Sequence, residues 1–471
     1  MAYQTLNPYT GEVLKKFDYI TDAELEQKLQ QSEKTFQIWS RTSLAQRAAV
    51  VHKAAALMEE RKEELARINT LETGKLMSAS LWEVGVCEDM LNYYADHAAE
   101  FLKPVYVDNP IKTMGDAVGI YQPLGIIYII EPWNVPFFQM TRPAAAQLMA
   151  GNVVVLKHAS ICPQCALAME KIFRDAGAPE GVFTNLFVTY EQSDRLVADP
   201  RIKGITLTGS TEVGRGIAEK AGRAIKKCVM ELGGSDAMVV LPDADLDKAI
   251  DGAINGRLML SGQVCVADKR MFVHESLYDA FLKGVKAKIS ELKLGDPLSL
   301  ETTFGPLSSK KAADKVKEQI RRAVAAGAKS EEVGPKVPAD SAYVQPTILT
   351  GVTPDNPLFG EEIFGPVLMV FSWSDEDEAI RLANDTVYGL AASVYSENPA
   401  HAAKVAAALE TGAVSLNSYT MFVSAAVPFG GVKESGLGRE LGSEGIREFM
   451  NLKFMASSAL DMKKVWDVFK A

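Results

Sequence analysis

GITLTGSTEVGRGIAEKAGRAIKKCVMELGG, residues 204–234, carries the decisive pattern. Gly204 to Leu207 is a short apolar run, Thr211 to Ala221 has helical spacing, and Cys228 to Glu231 is a second run, ending at Gly233-Gly234. Short continuous strands joined by a helix predict a parallel sheet covered on both faces. Working back from this unit, Val153 to Leu156 and Leu186 to Val188 read as strands, with a helix from Pro163 to Asp175 closed by Gly177. Further upstream, Gly119-Ile120-Tyr121 and Ile126-Ile127-Tyr128-Ile129-Ile130 are β-rich runs split by Pro123-Leu124-Gly125. Two helices are expected before them, a long amphipathic one from Ser43 to Thr73 stopped by Gly74, and one around Trp82 to Phe101. Downstream a second series opens at Asp236-Ala237-Met238-Val239-Val240, continuing through Met271 to His274 and a helix from Leu277 to Leu292. Gly233-Gly234 is the natural joint. The fold class is α/β, with two doubly wound parallel-sheet domains.

Length agrees with two domains, because 471 residues exceed the ~250–300 at which single cores stop growing. With 50 Lys+Arg against 60 Asp+Glu the net charge is −10, and no basic stripe is present to bind nucleic acid. The uncharged stretches Ala117 to Ile130 and Pro143 to Leu156 are too short to span a membrane. The N-terminus has neither a basic n-region nor an apolar h-region, so a soluble cytoplasmic protein is expected. Five scattered cysteines fit reduced thiols rather than a disulfide framework. The five histidines never pair at metal-ligand spacing, so no metal is expected.

Several motifs carry candidate chemistry. Cys162-Pro163-Gln164-Cys165 is a C-x-x-C with no second copy, so it builds no zinc site, and chance spacing is a better account than a redox dithiol. Neither G-x-x-x-x-G-K-[ST] nor G-x-S-x-G occurs. Leu207-Thr208-Gly209-Ser210-Thr211 joins strand to helix where free N–H groups suit a phosphate. Met230-Glu231-Leu232-Gly233-Gly234 puts a carboxylate at a strand's end, and Ser261-Gly262-Gln263-Val264-Cys265 a cysteine in a polar loop.

Taken with Pro132-Trp133-Asn134, Lys157, Glu362-Ile363-Phe364-Gly365-Pro366 and Pro428-Phe429-Gly430-Gly431, these motifs resemble the aldehyde dehydrogenase superfamily in order and spacing. The resemblance runs from about Asn7-Pro8 to Gly438-Arg439-Glu440, and is nearest to succinate-semialdehyde dehydrogenases. It implies NAD(P)-dependent oxidation of an aldehyde to an acid through a cysteine thiohemiacetal and thioester, without metal. By the match Cys265 is the nucleophile, Asn134 and the Cys265 N–H hold the oxyanion, and Glu231 activates water for deacylation. Glu362 and Phe364 match nicotinamide-side contacts, Gly209 and Ser210 the pyrophosphate contacts, and Trp133, Lys157 and Ser160 complete the cofactor set.

In NAD-preferring relatives a Glu three residues after the strand-end lysine bonds the ribose hydroxyls. Ser160 stands there, which favours NADP while leaving NAD possible. Eight residues after Asn134, Arg142 resembles the arginine that grips a carboxylate or hydroxyl in succinate-semialdehyde and lactaldehyde enzymes, with Ser424 as a further substrate contact. The alternative is an arginine paired with an acid. Two positions depart from the family: Leu260 replaces the usual Asn five before the nucleophile, and Met259 stands where some relatives have a second substrate arginine. The resemblance further implies a cofactor domain of residues 1–107 and 123–233, a catalytic domain of 234–444, and an oligomerisation flap of 108–122 and 445–471. A homodimer or homotetramer follows. Broad-specificity or lactaldehyde-type oxidation, or a non-catalytic member of the scaffold, are the alternative functions.

Overall fold

Two parallel-dominated sheets carry the molecule; the computed structural model describes residues 3–420 and 424–470. In the first, the strands run in the order Gly436–Leu437, Lys227–Glu231, Ile202–Thr208, Ile126–Glu131, Val153–His158 and Phe183–Asn185. All pairs are parallel except the short C-terminal strand, which lies antiparallel on Lys227–Glu231. The second sheet has seven strands, with Arg270–His274 at its centre and Ala237–Val240 between it and Ala391–Tyr395. The chain changes sheets between Glu231 and Ala237, across Gly233-Gly234. A separate antiparallel sheet joins Asp116–Pro123 to Val105–Val107 and to Met450–Ser457. The two β-rich runs on either side of Pro123-Leu124-Gly125 thus belong to different sheets.

Two local expectations are corrected. The helix expected over Ser43 to Thr73 is two helices, Leu44–Glu60 and Lys62–Thr73. Arg61 breaks it by leaving helical dihedrals (φ −108°, ψ 17°), and both segments pack on the helices Met77–Phe101 and Pro163–Asp175. The strand expected at Leu186 to Val188 lies at Phe183–Asn185. Leu186 N still donates to Leu156 O, but Phe187 O has already turned to accept from Ile20 N, so the ladder ends there.

Parallel strands end together, and this gathers the polar groups. Thr208 lies opposite Glu231, and Glu131 opposite His158, at the carboxyl edge where open α/β sheets bind ligands. The helix Pro136–Ala150, entered through Trp133-Asn134, is buried throughout. Its first N–H groups have no intrahelical partners. Glu83 supplies one: its Oε1 accepts from Phe137 N (2.8 Å) and Phe138 N (3.1 Å), while Lys75 neutralises its buried charge. Glu72 does the same for Pro163–Asp175, accepting from Gln164 N and Cys165 N.

Candidate active site

Cys265 sits in the loop that follows helix Leu246–Leu258 and precedes strand Arg270–His274. Leu260 (φ 52°) and Ser261 (φ 55°) both adopt the left-handed conformation. Asn tolerates that region better than Leu, so the departure at Leu260 stores strain of roughly 1–3 kcal/mol. What holds the loop instead is a run of side-chain donors onto its carbonyls. Arg257 Nη1 donates to Gly262 O (3.1 Å) and Asn134 Nδ2 to Gln263 O (3.2 Å). Lys269 Nζ donates to Val264, Cys265 and Ala267 O, and Thr420 Oγ1 to Val266 O. Every carbonyl from Gly262 to Ala267 is thereby engaged. Gly262 (φ 79°) has no room for a side chain, since a Cβ would lie 2.2 Å from Gly365 O. The cysteine loop and the Glu362-Ile363-Phe364-Gly365 loop therefore touch backbone to backbone.

A cleft of about 310 Å³ lies beside them, walled by Cys265, Asn134, Trp133, Gly209, Ser210, Glu362 and Phe364. Trp133 and Phe364 meet edge to face, 5.8 Å apart. Ser210 caps helix Thr211–Arg223, and Glu362 Oε1 accepts from Gly234 N (3.1 Å). The Cys265 thiol is held at about 11: burial raises it most, Lys269 and Arg142 lower it, and Glu362 and Asp236 raise it again. Gln139 Nε2 donates to Asn134 Oδ1 (3.3 Å), turning the amide so that its N–H₂ faces the cysteine loop. Sequence reading passed over both Gln139 and Lys269. Helical spacing after Asn134 is the signal for the first; a lysine heading an apolar strand is the signal for the second.

Glu231 is buried behind the cleft, outside its wall, with its carboxyl beside Gly430 and Arg439. A Cβ on Gly430 (φ 151°) would lie 2.7 Å from Glu231 Oε1, so that space exists only because the residue is glycine. Neither Glu231 oxygen has a hydrogen-bond partner among the described residues. Burial pushes its carboxyl well above the usual range, Arg142 opposing and Glu440 adding to the rise. Glu131 is buried and raised in the same way, with Glu440 adding and Arg142 opposing.

Arg142, expected at the far end of a short substrate or else paired with an acid, is 1% exposed, does not wall the cleft, and is paired with an acid. Nε donates to Glu440, Nη2 donates to Thr208 Oγ1 (2.8 Å), and the Phe429 ring lies 4.7 Å away. With three buried acids around it, an arginine at this point is claimed by protein before any ligand arrives.

The remaining expected residues lie apart from the cleft. Lys157 is the penultimate residue of strand Val153–His158, its ammonium pKa lowered by burial and its Nζ 5.4 Å from the Tyr190 ring. Ser160 follows, its carbonyl accepting from Gln4 N. Ser424 adjoins residues 421–423, which lie outside the described residues, and its Oγ accepts from Ala426 N. Cys162 and Cys165 are fully buried, and burial pushes both thiols up, the opposite of what a redox dithiol needs. Among the described residues no group of acids, histidines and cysteines is arranged to hold a metal, and no helix is long and apolar enough to cross a membrane.

This geometry, a cysteine and an amide sharing one cleft with a strand–helix turn, coincides with the chain's relationships. Residues 1–455 match the Aldehyde dehydrogenase family, and the chain belongs to it. Among its relatives, the succinate-semialdehyde dehydrogenase [NADP(+)] of Deinococcus radiodurans is 44% identical, over 96% of this chain and 94% of that protein. A probable succinate-semialdehyde dehydrogenase [NADP(+)] of Synechocystis is 42% identical, over 96% and 99%. In structure, the chain is similar to succinic semialdehyde dehydrogenase from Streptococcus pyogenes, crystallised with NADP+ as the cofactor. The TM-score is 0.94 at 41% identity, covering 97% of this chain and all of that one.

Proposed function

We propose that the protein oxidises succinate semialdehyde to succinate with NADP. Cys265 at the cleft's wall, facing the Asn134 amide, is the observation that carries the chemistry. The thiolate adds to the aldehyde carbon, and Asn134 Nδ2 with the Cys265 N–H donates to the oxygen that becomes negative. A bound nicotinamide would supply the hydride acceptor, and loss of hydride from the thiohemiacetal would leave a thioester on Cys265. Glu231 then takes a proton from the water that hydrolyses it. Because Glu231 rests behind the cleft with a raised pKa, it must lose its proton and swing past Gly430 to do so.

For the cofactor, the residues fit a dinucleotide. Ser210 and the helix N-terminus behind Gly209 suit a diphosphate, Trp133 and Phe364 flank the inner end, and Glu362 is placed for ribose hydroxyls. Lys157 and Ser160 at the outer end set the preference for NADP. Ser160→Glu places an anion where the 2′-phosphate would lie, and should lower the NADP-to-NAD ratio of kcat/KM at least tenfold, about 1.4 kcal/mol. An unchanged ratio removes Ser160 from the cofactor site.

The names of the relatives support the substrate, and a panel tests it: succinate semialdehyde, butanal, lactaldehyde and benzaldehyde. Succinate semialdehyde should give the highest kcat/KM; parity with butanal would mean broad specificity. Arg142 supports the site through Glu440. Arg142→Ala leaves a buried acid unpaired, at a cost of about 3–5 kcal/mol. A lowered melting temperature and equal losses on butanal and succinate semialdehyde are expected. A loss confined to succinate semialdehyde would return Arg142 to the substrate.

In this reading residues 1–107 and 123–233 hold the cofactor, 234–444 carry the nucleophile, and 108–122 with 445–471 join subunits. The strand Met450–Ser457 lies at the edge of its sheet and exposes Leu452 and Phe454, a surface that a second subunit would cover. Light scattering at micromolar concentration should give a dimer or tetramer, and a monomer would refute the assignment.

A further inference from the structure

Lys269 is fully buried, yet it is drawn to none of the acids at hydrogen-bond distance. Its backbone belongs to the catalytic sheet: the N–H donates to Asp236 O (2.9 Å) and the carbonyl accepts from Met369 N (3.2 Å). From that fixed rung the side chain turns back toward the loop it follows. An ammonium has three donors, and here three backbone carbonyls converge on it, from Val264 (3.2 Å), Cys265 and Ala267 (3.1 Å). Glu362 stands 3.8 Å away as the nearest counter-charge.

Peptide planarity makes this consequential. In a trans peptide the carbonyl and the N–H point in opposite directions. Fixing Val264 O on Lys269 therefore turns the Cys265 N–H away from the lysine. Fixing Cys265 O turns the next N–H the same way. We propose that Lys269 is the positioning residue of the nucleophile: it orients the Cys265 N–H as an oxyanion donor and places a positive charge behind the sulfur. The proposal rests on Cys265 being the nucleophile. The charged groups bearing on the thiol are Lys269, Arg142, Glu362 and Asp236, and those bearing on Lys269 are Asp236, Glu362, Arg257 and the thiol. Burial disfavours charge on both Lys269 and Cys265, so each stabilises the other's ionised form.

The experiment follows iodoacetamide alkylation of Cys265 in the cofactor-free protein by mass spectrometry across pH, beside steady-state kinetics. Lys269→Met should shift the rate–pH line upward by about one pH unit, so that alkylation at pH 8 is roughly tenfold slower. Lys269→Arg keeps the charge, but its planar fork does not match three carbonyls around one point. It should alkylate within about threefold of the parent, while kcat falls roughly tenfold or more at unchanged cofactor KM. Superimposable alkylation profiles for Lys269→Met and the parent would overturn the proposal. So would parental kcat in Lys269→Arg, which decides the matter alone if Lys269→Met does not fold. Should the parent stay active after complete alkylation of Cys265, it is the nucleophile assignment that fails, and not the role of Lys269 within it.

Discussion

Cys265→Ser is expected to lower kcat for aldehyde oxidation by roughly 10³-fold or more, with melting temperature and cofactor affinity near those of the parent. The substitution is close in shape, and the six carbonyls that fix the loop belong to the backbone and are untouched. What changes is the nucleophile. A thiol held at about 11 still supplies some thiolate at neutral pH, and Lys269 and Arg142 favour it. A serine hydroxyl in the same position has no base within the loop to take its proton. Dehydrogenase assays with succinate semialdehyde, together with cofactor titration by fluorescence, measure the two quantities. Retention of a tenth or more of the parental kcat would show that the hydride donor does not form on this side chain.

Glu231→Gln should separate the two halves of the reaction. Acylation and hydride transfer do not use the carboxylate, so rapid mixing should still give a burst of reduced cofactor, near one per active site. Turnover beyond the burst should fall by roughly 10²–10⁴-fold, the usual contribution of a positioned base. The pH dependence adds a signature. Burial raises the Glu231 carboxyl, so at low pH it is protonated and inactive as a base, and the deacylation-limited rate of the parent should climb with pH as it ionises. The glutamine variant should lose that climb. Loss of the burst with normal alkylation of Cys265 would give Glu231 a role before hydride transfer.

How far the sequence could be read depended on how local the cause was. Alternating apolar runs and helices placed four of the six strands of the first sheet, because burial on both faces writes continuous hydrophobic runs, but only two of the seven of the second. The helix break at Arg61 was illegible, since neither Gly nor Pro marks it and the segments on both sides of it pack on the same two helices. Cys265, Asn134, Gly209 and Glu362 were findable because each lies in a short motif, and the structure sets them around one cleft. The pairing of Arg142 was illegible because its partner Glu440 lies 298 residues further on, beyond anything spacing along a helix can indicate. Lys269 was missed for a related reason: its position at the head of an apolar strand is visible, but its partners are main-chain carbonyls, which no residue type marks.

The short strand Gly436–Leu437 has a consequence for how the molecule is made. It closes the edge of the cofactor-side sheet by pairing with Met230 and Glu231, and Phe429 to Glu440 wraps the same carboxylate from behind. During synthesis, the strand carrying Glu231 leaves the ribosome with that edge open and its acid uncovered. The seven-stranded sheet must be built in the meantime, and only then can the chain return to seal the first. Such long-range closure is slow compared with local pairing. Glu231, the proposed base, is thus among the last groups to reach its surroundings, and a nascent chain stopped short of Gly436 would hold Cys265 without a finished site.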